Sequence, residues 1–239
     1  MAAAQKLPVL YVISGGGPPA GQLAEFVGFA QSAGWDVCVI ATPDGAKFLD
    51  IAELTALTGH PVRVQYKNPD DPDVLPPADA MVIAPATFNT INKLAHGISD
   101  TLALGLLNEA VGLGLPITAV PWPNVALARH PVFRRSVAEL REWGVTVILD
   151  PARLPDASEG PAVFPWELLC ADLAGLRAAV EHRAGLSRAD ARSENAGADL
   201  RSLTWTRPCA GAMPPGGSLA TCRPRSRRAG WTRSRWMPR

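Results

Sequence analysis

The sequence has no apolar run approaching the roughly 18 residues a helix needs to cross a bilayer. Met1 to Pro8 is too short and too weakly basic to read as a secretory signal. No two of the four cysteines, Cys38, Cys170, Cys209 and Cys222, stand in a CxxC spacing, so neither a zinc site nor a disulfide framework is indicated. These absences lead us to expect a cytoplasmic chain with no membrane segment and no metal. Lys, Asp and Glu are missing altogether from residues 201–239, which hold nine Arg. The formal net charge of +1 therefore conceals a split, with −8 on residues 1–200 and +9 on the last 39. Apolar periodicity is lost from about Arg188 onward. The segment 188–239, biased to Pro, Gly, Ser, Arg and Trp, has no pattern able to offset the entropy of ordering it, and is expected to be a disordered tail on a domain spanning 1–187. Interleaved Arg and Trp would suit phosphates and bases. The composition fits a basic tail of low structural content better, and nucleic acid is not the expected partner.

Before that tail, strand and helix patterns alternate. Leu7 to Ile13 reads as a buried strand, followed by a Gly/Pro loop and by Leu23, Phe26, Val27 and Ala30 at helical spacing up to Gly34. Trp35 to Ala41 is a second strand, and Phe48, Ile51, Ala52 and Leu57 place a helix after Asp44-Gly45. Pro61 to Tyr66, with β-branched Val62 and Val64, reads as a third strand before a Pro/Asp loop, Asn68 to Asp79. Ala80 to Ala84 is a fourth. Leu102 to Leu113 then reads as a helix, Pro116 to Val120 as a strand, Pro131 to Trp143 as a helix and Val145 to Leu149 as a sixth strand. After a proline-rich linker, Trp166, Leu169, Leu173, Leu176 and Val180 give one more amphipathic helix. Such alternation implies a parallel, doubly wound α/β sheet.

Ligands of such sheets bind beyond the carboxyl ends of the strands. Two loops are placed there. The strand at Ala80 breaks at Pro85 into Ala86-Thr87-Phe88-Asn89-Thr90, which offers N–H groups, hydroxyls and a carboxamide. The same residues also suit a plain strand-to-helix turn with Thr87 or Asn89 as N-cap. Gly15-x-Gly17-x-x-Ala20 matches the dinucleotide fingerprint weakly, because Pro18 and Pro19 remove two donors where a pyrophosphate needs them. Ser14, Gly15, Gly16 and Gly17 suit a single phosphate better, and hence a mononucleotide.

Pro85-Ala86-Thr87-Phe88-Asn89-Thr90, followed by Lys93-Leu94-Ala95 and Gly97-Ile98-Ser99-Asp100, resembles the PASANT-type motif of the homo-oligomeric flavin-containing cysteine decarboxylases. That family includes phosphopantothenoylcysteine decarboxylase and the lantibiotic peptide decarboxylases. Pro121-Trp122-Pro123-Asn124 resembles its PxMN motif, Thr42 to Phe48 its T-x-S-A-x-x-F segment, and Ser14-Gly15, loosely, its phosphate loop. The resemblance spans about residues 7–150. With the strand pattern above, the expected fold is a Rossmann-like three-layer α/β sandwich on a six-stranded parallel sheet, and the resemblance implies non-covalent FMN and a homotrimer or trimer-based assembly. It also implies Ser14, Gly15 and Thr42 near the phosphate, Thr87, Asn89 and Thr90 near the ribityl chain and ring, and Asn124 near a substrate carboxylate or amide.

Three departures stand out. Asp44 replaces the serine after the second strand and would repel a phosphate unless it is turned away or neutralised; Pro123 replaces the methionine of PxMN. The family's base histidine falls by count on Asp71, a weak base when exposed. His60, His96 and His182 suit surface or capping roles, whereas His130, six residues after Asn124, is placed to reach the cleft. The expectation is thus an FMN-binding carboxy-lyase acting on a small-molecule or peptide C-terminal cysteine, with Asn124, Asp71 and His130 as catalytic candidates. The alternatives are a non-catalytic FMN-binding or regulatory subunit and, on the glycine loop alone, a nicotinamide-dependent dehydrogenase.

Overall fold

The computed structural model describes residues 6–68, 70–156 and 162–197, without the side chains of 187–197. Of the segment 188–239 expected to be disordered, residues 188–197 instead continue the last helix, Trp166–Gly197, and residues 198–239 lie outside the described residues. The chain divides into a unit Met1–Asn195, which holds the sheet and the helices packed on it, and a second, Ala196–Arg239.

Five strands form one parallel sheet: β1 (Val9–Ser14), β2 (Asp36–Ala41), β3 (Ala80–Ala86), β4 (Ile117–Pro121) and β5 (Thr146–Val147), in the order β2-β1-β3-β4-β5. The expected six strands are corrected to five. Pro61 to Tyr66 makes only one bridge: the Ala41 N–H donates to Arg63 O (2.8 Å) and the Arg63 N–H to Val39 O (3.1 Å). Pro61 has no N–H to continue the ladder. Beyond Arg63 the chain leaves the sheet, and the Tyr66 hydroxyl donates to Thr101 O (3.2 Å).

Side chains alternate across the sheet with the period of two that a strand imposes. Val9, Tyr11 and Ile13 face a layer made by α3 (Phe88–Ala95), α4 (Leu102–Gly112) and α6 (Pro131–Glu142). Leu10 and Val12 face α1 (Leu23–Ser32), α2 (Ile51–Thr58) and α7 (Trp166–Gly197). A single turn, α5 (Val125–Ala128), joins β4 to α6. Both faces of β1 are fully covered, which is why its sequence is continuously apolar. The expected stripe of α7 is in place: Leu169, Leu173 and Leu176 are buried, each contributing roughly 1.5–3 kcal/mol relative to exposure. No helix among the described residues is long and apolar enough to cross a membrane.

The helix expected from Phe48, Ile51, Ala52 and Leu57 forms, but in a different phase. Gly45–Phe48 is a short 3-10 turn, Leu49 is extended and Asp50 caps α2 by accepting from the Glu53 N–H. Leu54 alone becomes fully buried there, while Phe48, Ile51 and Leu57 stay substantially exposed.

Candidate functional site

Going from β1 to β2 the chain moves to one side of the sheet, and from β2 it crosses back over β1 to β3. The strand order therefore reverses between β1 and β3, which opens a crevice beyond their carboxyl ends. Three backbone hydrogen bonds fix its rim. Thr42 N–H donates to Ser14 O (2.9 Å), Gly15 N–H to Pro85 O (2.9 Å) and Trp122 N–H to Ala86 O (2.8 Å). This close approach demands glycine. A Cβ at Gly15 would stand 2.7 Å from Pro85 O, and one at Gly45 only 2.3 Å from Ser14 O.

A cavity of about 590 Å³ occupies the crevice, lined among others by Gly16, Thr42, Asp44, Thr87, Asn89 and Thr90. Its walls are rich in donors without partners. The N–H groups of Gly16 and Asn89, and of Gly17 next to the lining, meet no acceptor among the described residues. Thr42 Oγ1 accepts from the Gly45 N–H (2.9 Å), leaving its proton free to donate outward. Thr87 is the N-cap of α3, its hydroxyl accepting from the Thr90 N–H (3.1 Å) and meeting Thr90 Oγ1 at 2.9 Å. The positive end of α3 therefore opens on the cavity at Asn89. Ser14 and Gly15 sit deeper: Ser14 is fully buried, and the backbone groups of both are used in holding the rim.

Charge around the cavity is balanced. Lys47 Nζ lies 2.7 Å from Asp44 Oδ1, and this hydrogen bond and charge hold the Asp44 carboxyl below its ordinary range. Lys93 Nζ, also at the cavity, pairs with Asp100 at 2.5 Å. The repulsion expected of Asp44 toward a phosphate is thus met by a lysine one turn away. Lys47 and Lys93 both lay within quoted motif segments but carried no expected role. Side-chain donors, free N–H groups and a helix N-terminus fit the phosphate and polyol of a mononucleotide, and Pro18 and Pro19 at the start of a 3-10 helix lack the N–H donors a dinucleotide's pyrophosphate would need.

The catalytic candidates are not gathered at this cavity. Asn124 caps α5, its Oδ1 accepting from the Leu127 N–H (2.8 Å), with Nδ2 unpartnered among the described residues. His130 caps α6, its Nδ1 accepting from the Val132 N–H (3.2 Å), and meets Phe88 edge-on at 5.8 Å. Asp71 Oδ2 accepts from the backbone (3.0 Å) and the side-chain (3.1 Å) nitrogens of Asn68 in an exposed turn. Elsewhere His60 pairs with Asp36 (2.8 Å), and His96 closes α3.

The profile of the family described as Flavoprotein matches residues 20–173, well over half of the chain. The chain belongs to the flavoprotein family. The matched span holds Thr42, Thr87, Asn89, Thr90 and Asn124 but starts after the glycine loop. Among relatives, the probable phosphopantothenoylcysteine decarboxylase of Streptococcus mutans is 29% identical over 117 residues, covering 46% of this chain and 65% of that protein. The coenzyme A biosynthesis bifunctional protein CoaBC of Bacillus subtilis is 32% identical over 122 residues, covering 48% and 29%. This chain therefore matches less than two thirds of the length of either. The solved FMN-dependent cysteine decarboxylase TvaF from thioviridamide biosynthesis superposes with a TM-score of 0.54 at 25% identity, over 60% of this chain and 90% of that one. A PPC decarboxylase mutant complexed with pantothenoylaminoethenethiol shares the fold, with a TM-score of 0.56 at 22% identity over 70% and 97%.

Proposed function

We propose that this flavoprotein binds FMN in the crevice between β1 and β3 and catalyses redox-type decarboxylation of a cysteine-derived carboxylate. The observation that carries the reading is the cavity beyond these strands, with unpartnered donors from Gly16 and Asn89 beside a charge-neutralised Asp44. FMN, when bound, supplies a two-electron acceptor for the thiol-bearing carbon, which makes loss of CO₂ easy. Gly16, Gly17 and Thr42 would donate to the phosphate, with Ser14 and Gly15 setting the floor beneath them. Thr87, Asn89 and Thr90 would hold the ribityl chain and ring, and the outward Nδ2 of Asn124 would donate to a substrate carboxylate or amide.

The relatives' names support this reading, as does the order in which Thr42, Thr87 and Asn124 recur along the chain. The substrate would be a small molecule or peptide ending in cysteine, met in a homotrimer in the cytoplasm, where the free thiols of Cys38 and Cys170 stay reduced. An absorption spectrum of the purified chain tests the cofactor, because bound oxidised flavin shows bands at roughly 370 and 450 nm. Sedimentation tests the trimer.

A second reading, a non-catalytic FMN-binding subunit, is favoured by how the base candidates are used. Asp71 is tied to Asn68, and His130 accepts a capping hydrogen bond on Nδ1. A positioned general base typically contributes about 10²–10⁴ in rate. CO₂ release from a cysteine substrate decides between the readings: His130→Ala or Asp71→Asn should abolish it with flavin retained if either is the base. No release from any cysteine substrate would leave the second reading standing.

A further inference from the structure

Two lysines, Lys47 and Lys93, line the cavity beyond β1 and β3, and their settings differ. Lys47 pairs with Asp44, which lines the same cavity, and its side chain is 72% exposed, so that charge is both cancelled and screened by water. The Lys93 side chain is only 26% exposed, and its partner Asp100, at 2.5 Å, lies outside the lining. The positive end of this pair is therefore the end presented to the cavity. Helical spacing explains the placement: Asn89 and Thr90 precede Lys93 by four and three residues on α3, and all three line the cavity. Asp100 is fixed by the start of α4, since Thr101, next in the chain, caps that helix by accepting from the Leu104 N–H (3.2 Å). Among the described residues, Asp44, Lys47 and Lys93 are the titratable side chains of the lining, which leaves Lys93 as its one weakly compensated charge.

We infer that Lys93 sets the charge carried by reduced flavin, favouring the anion over the neutral form and thereby making bound FMN easier to reduce. The inference rests on the proposed FMN reading, in which Asn89 and Thr90, the neighbours of Lys93 on its face of α3, hold the ribityl chain and ring. Oxidising a carbon that bears a thiol, CH–SH to C=S, releases two electrons and two protons. Both electrons and one proton pass to FMN, the second proton passes to water, and the flavin gains one negative charge. A cation held away from water stabilises that added charge more than it stabilises the neutral oxidised ring. Only such a differential interaction shifts the balance between the two oxidation states; equal stabilisation of both would leave it where it was. The ammonium acts in the same sense as the positive end of α3, which opens on the cavity at Asn89.

Potentiometric titration of the flavin-loaded full chain tests this without any substrate. Lys93→Met should lower the two-electron potential by at least about 30 mV, a tenfold loss of preference for reduced flavin, and Lys93→Arg should restore most of it. The pH above which reduction takes up one proton rather than two should also move upward in Lys93→Met, because removing a cation makes reduced flavin harder to deprotonate. Asp100→Asn separates charge from structure. As a mere tie between α3 and α4 the pair is lost in either variant, and both would shift the potential alike. As a field on the flavin the two act in opposite directions, with Asp100→Asn raising the potential. Shifts of the same sign, no shift in Lys93→Met, or no rise in Asp100→Asn would overturn the inference. So would an equal loss of affinity for oxidised and reduced FMN in Lys93→Met, which would assign the ammonium to the phosphate. A parent chain without flavin bands would overturn the FMN reading itself, and the inference with it.

Discussion

Thr87 joins structure and site through one hydroxyl, which satisfies the Thr90 N–H and meets Thr90 Oγ1 at the mouth of the cavity. Thr87→Ala removes that cap and should cost about 0.5–2 kcal/mol in urea unfolding, whereas Thr87→Ser should recover most of the loss. If Ala and Ser variants unfold alike, the cap is not the source. Asn89 is spared capping duty, so Asn89→Asp should leave stability nearly unchanged while weakening FMN by on the order of 1–3 kcal/mol. Unchanged flavin content would remove Asn89 from the site. The sequence named both residues as caps or ligands, and the backbone divides the roles: Thr87 is extended at φ −76° and ψ 160°, as an N-cap requires. Titration adds a further expectation. Burial pushes the Cys38 thiol up to about 12 and the Tyr11 phenol likewise to about 12. Unfolded, these groups titrate at about 8.5 and about 10. The folded state holds both protons more tightly, so this stabilisation is complete below about pH 8.5 and is lost as pH rises toward 12. Unfolding midpoints should fall through that window, and less steeply in Cys38→Val; an identical decline in that variant would show that the thiol contributes nothing.

At the scale of elements, α2 shows where periodicity misleads. Phe48, Ile51 and Leu57 follow a helical spacing, yet Gly45–Phe48 winds as a 3-10 turn and Leu49 is extended, so the phase restarts at Asp50. Leu54→Ala should cost about 2–5 kcal/mol, because that side chain is only 2% exposed, while Leu57→Ala, at 39% exposed, should cost much less. Equal costs in denaturant would reinstate the expected phase. Strand content misled for a related reason. Val62 and Val64 report β propensity, but a strand also needs a partner edge, and after Arg63 the chain is drawn off toward α4. There the Tyr66 hydroxyl lies 2.1 Å from where a Cβ on Gly105 would stand, a close approach that no local pattern signals. The helices α1, α6 and α7 were legible because their apolar stripes meet the sheet with nothing to reset their phase.

For the whole molecule, alternation of strands and helices was enough to announce a doubly wound sheet, and the two polar loops pointed to its carboxyl end. Which loops converge was implied by the family resemblance and not by the alternation itself, since it depends on the crossover placing β3 beside β1 rather than beside β2. Thr42, Thr87 and Gly16 meet only through that order. Asn124 and His130, close to them in the motif logic, instead cap α5 and α6 after β4, one strand away. Charge is the other property of the whole chain. Residues 201–239 bring +9 to a body at −8, so a chain ending at residue 200 should bind an anion exchanger at neutral pH while the full chain, at +1, should not. Because the deleted segment has no apolar periodicity with which to join a core, the shorter chain is expected to keep its melting temperature and its flavin absorbance. A drop of several degrees in melting temperature would mean that residues 201–239 contribute to the stability of the fold. Loss of flavin alone, with melting unchanged, would tie the arginines of that segment to cofactor binding.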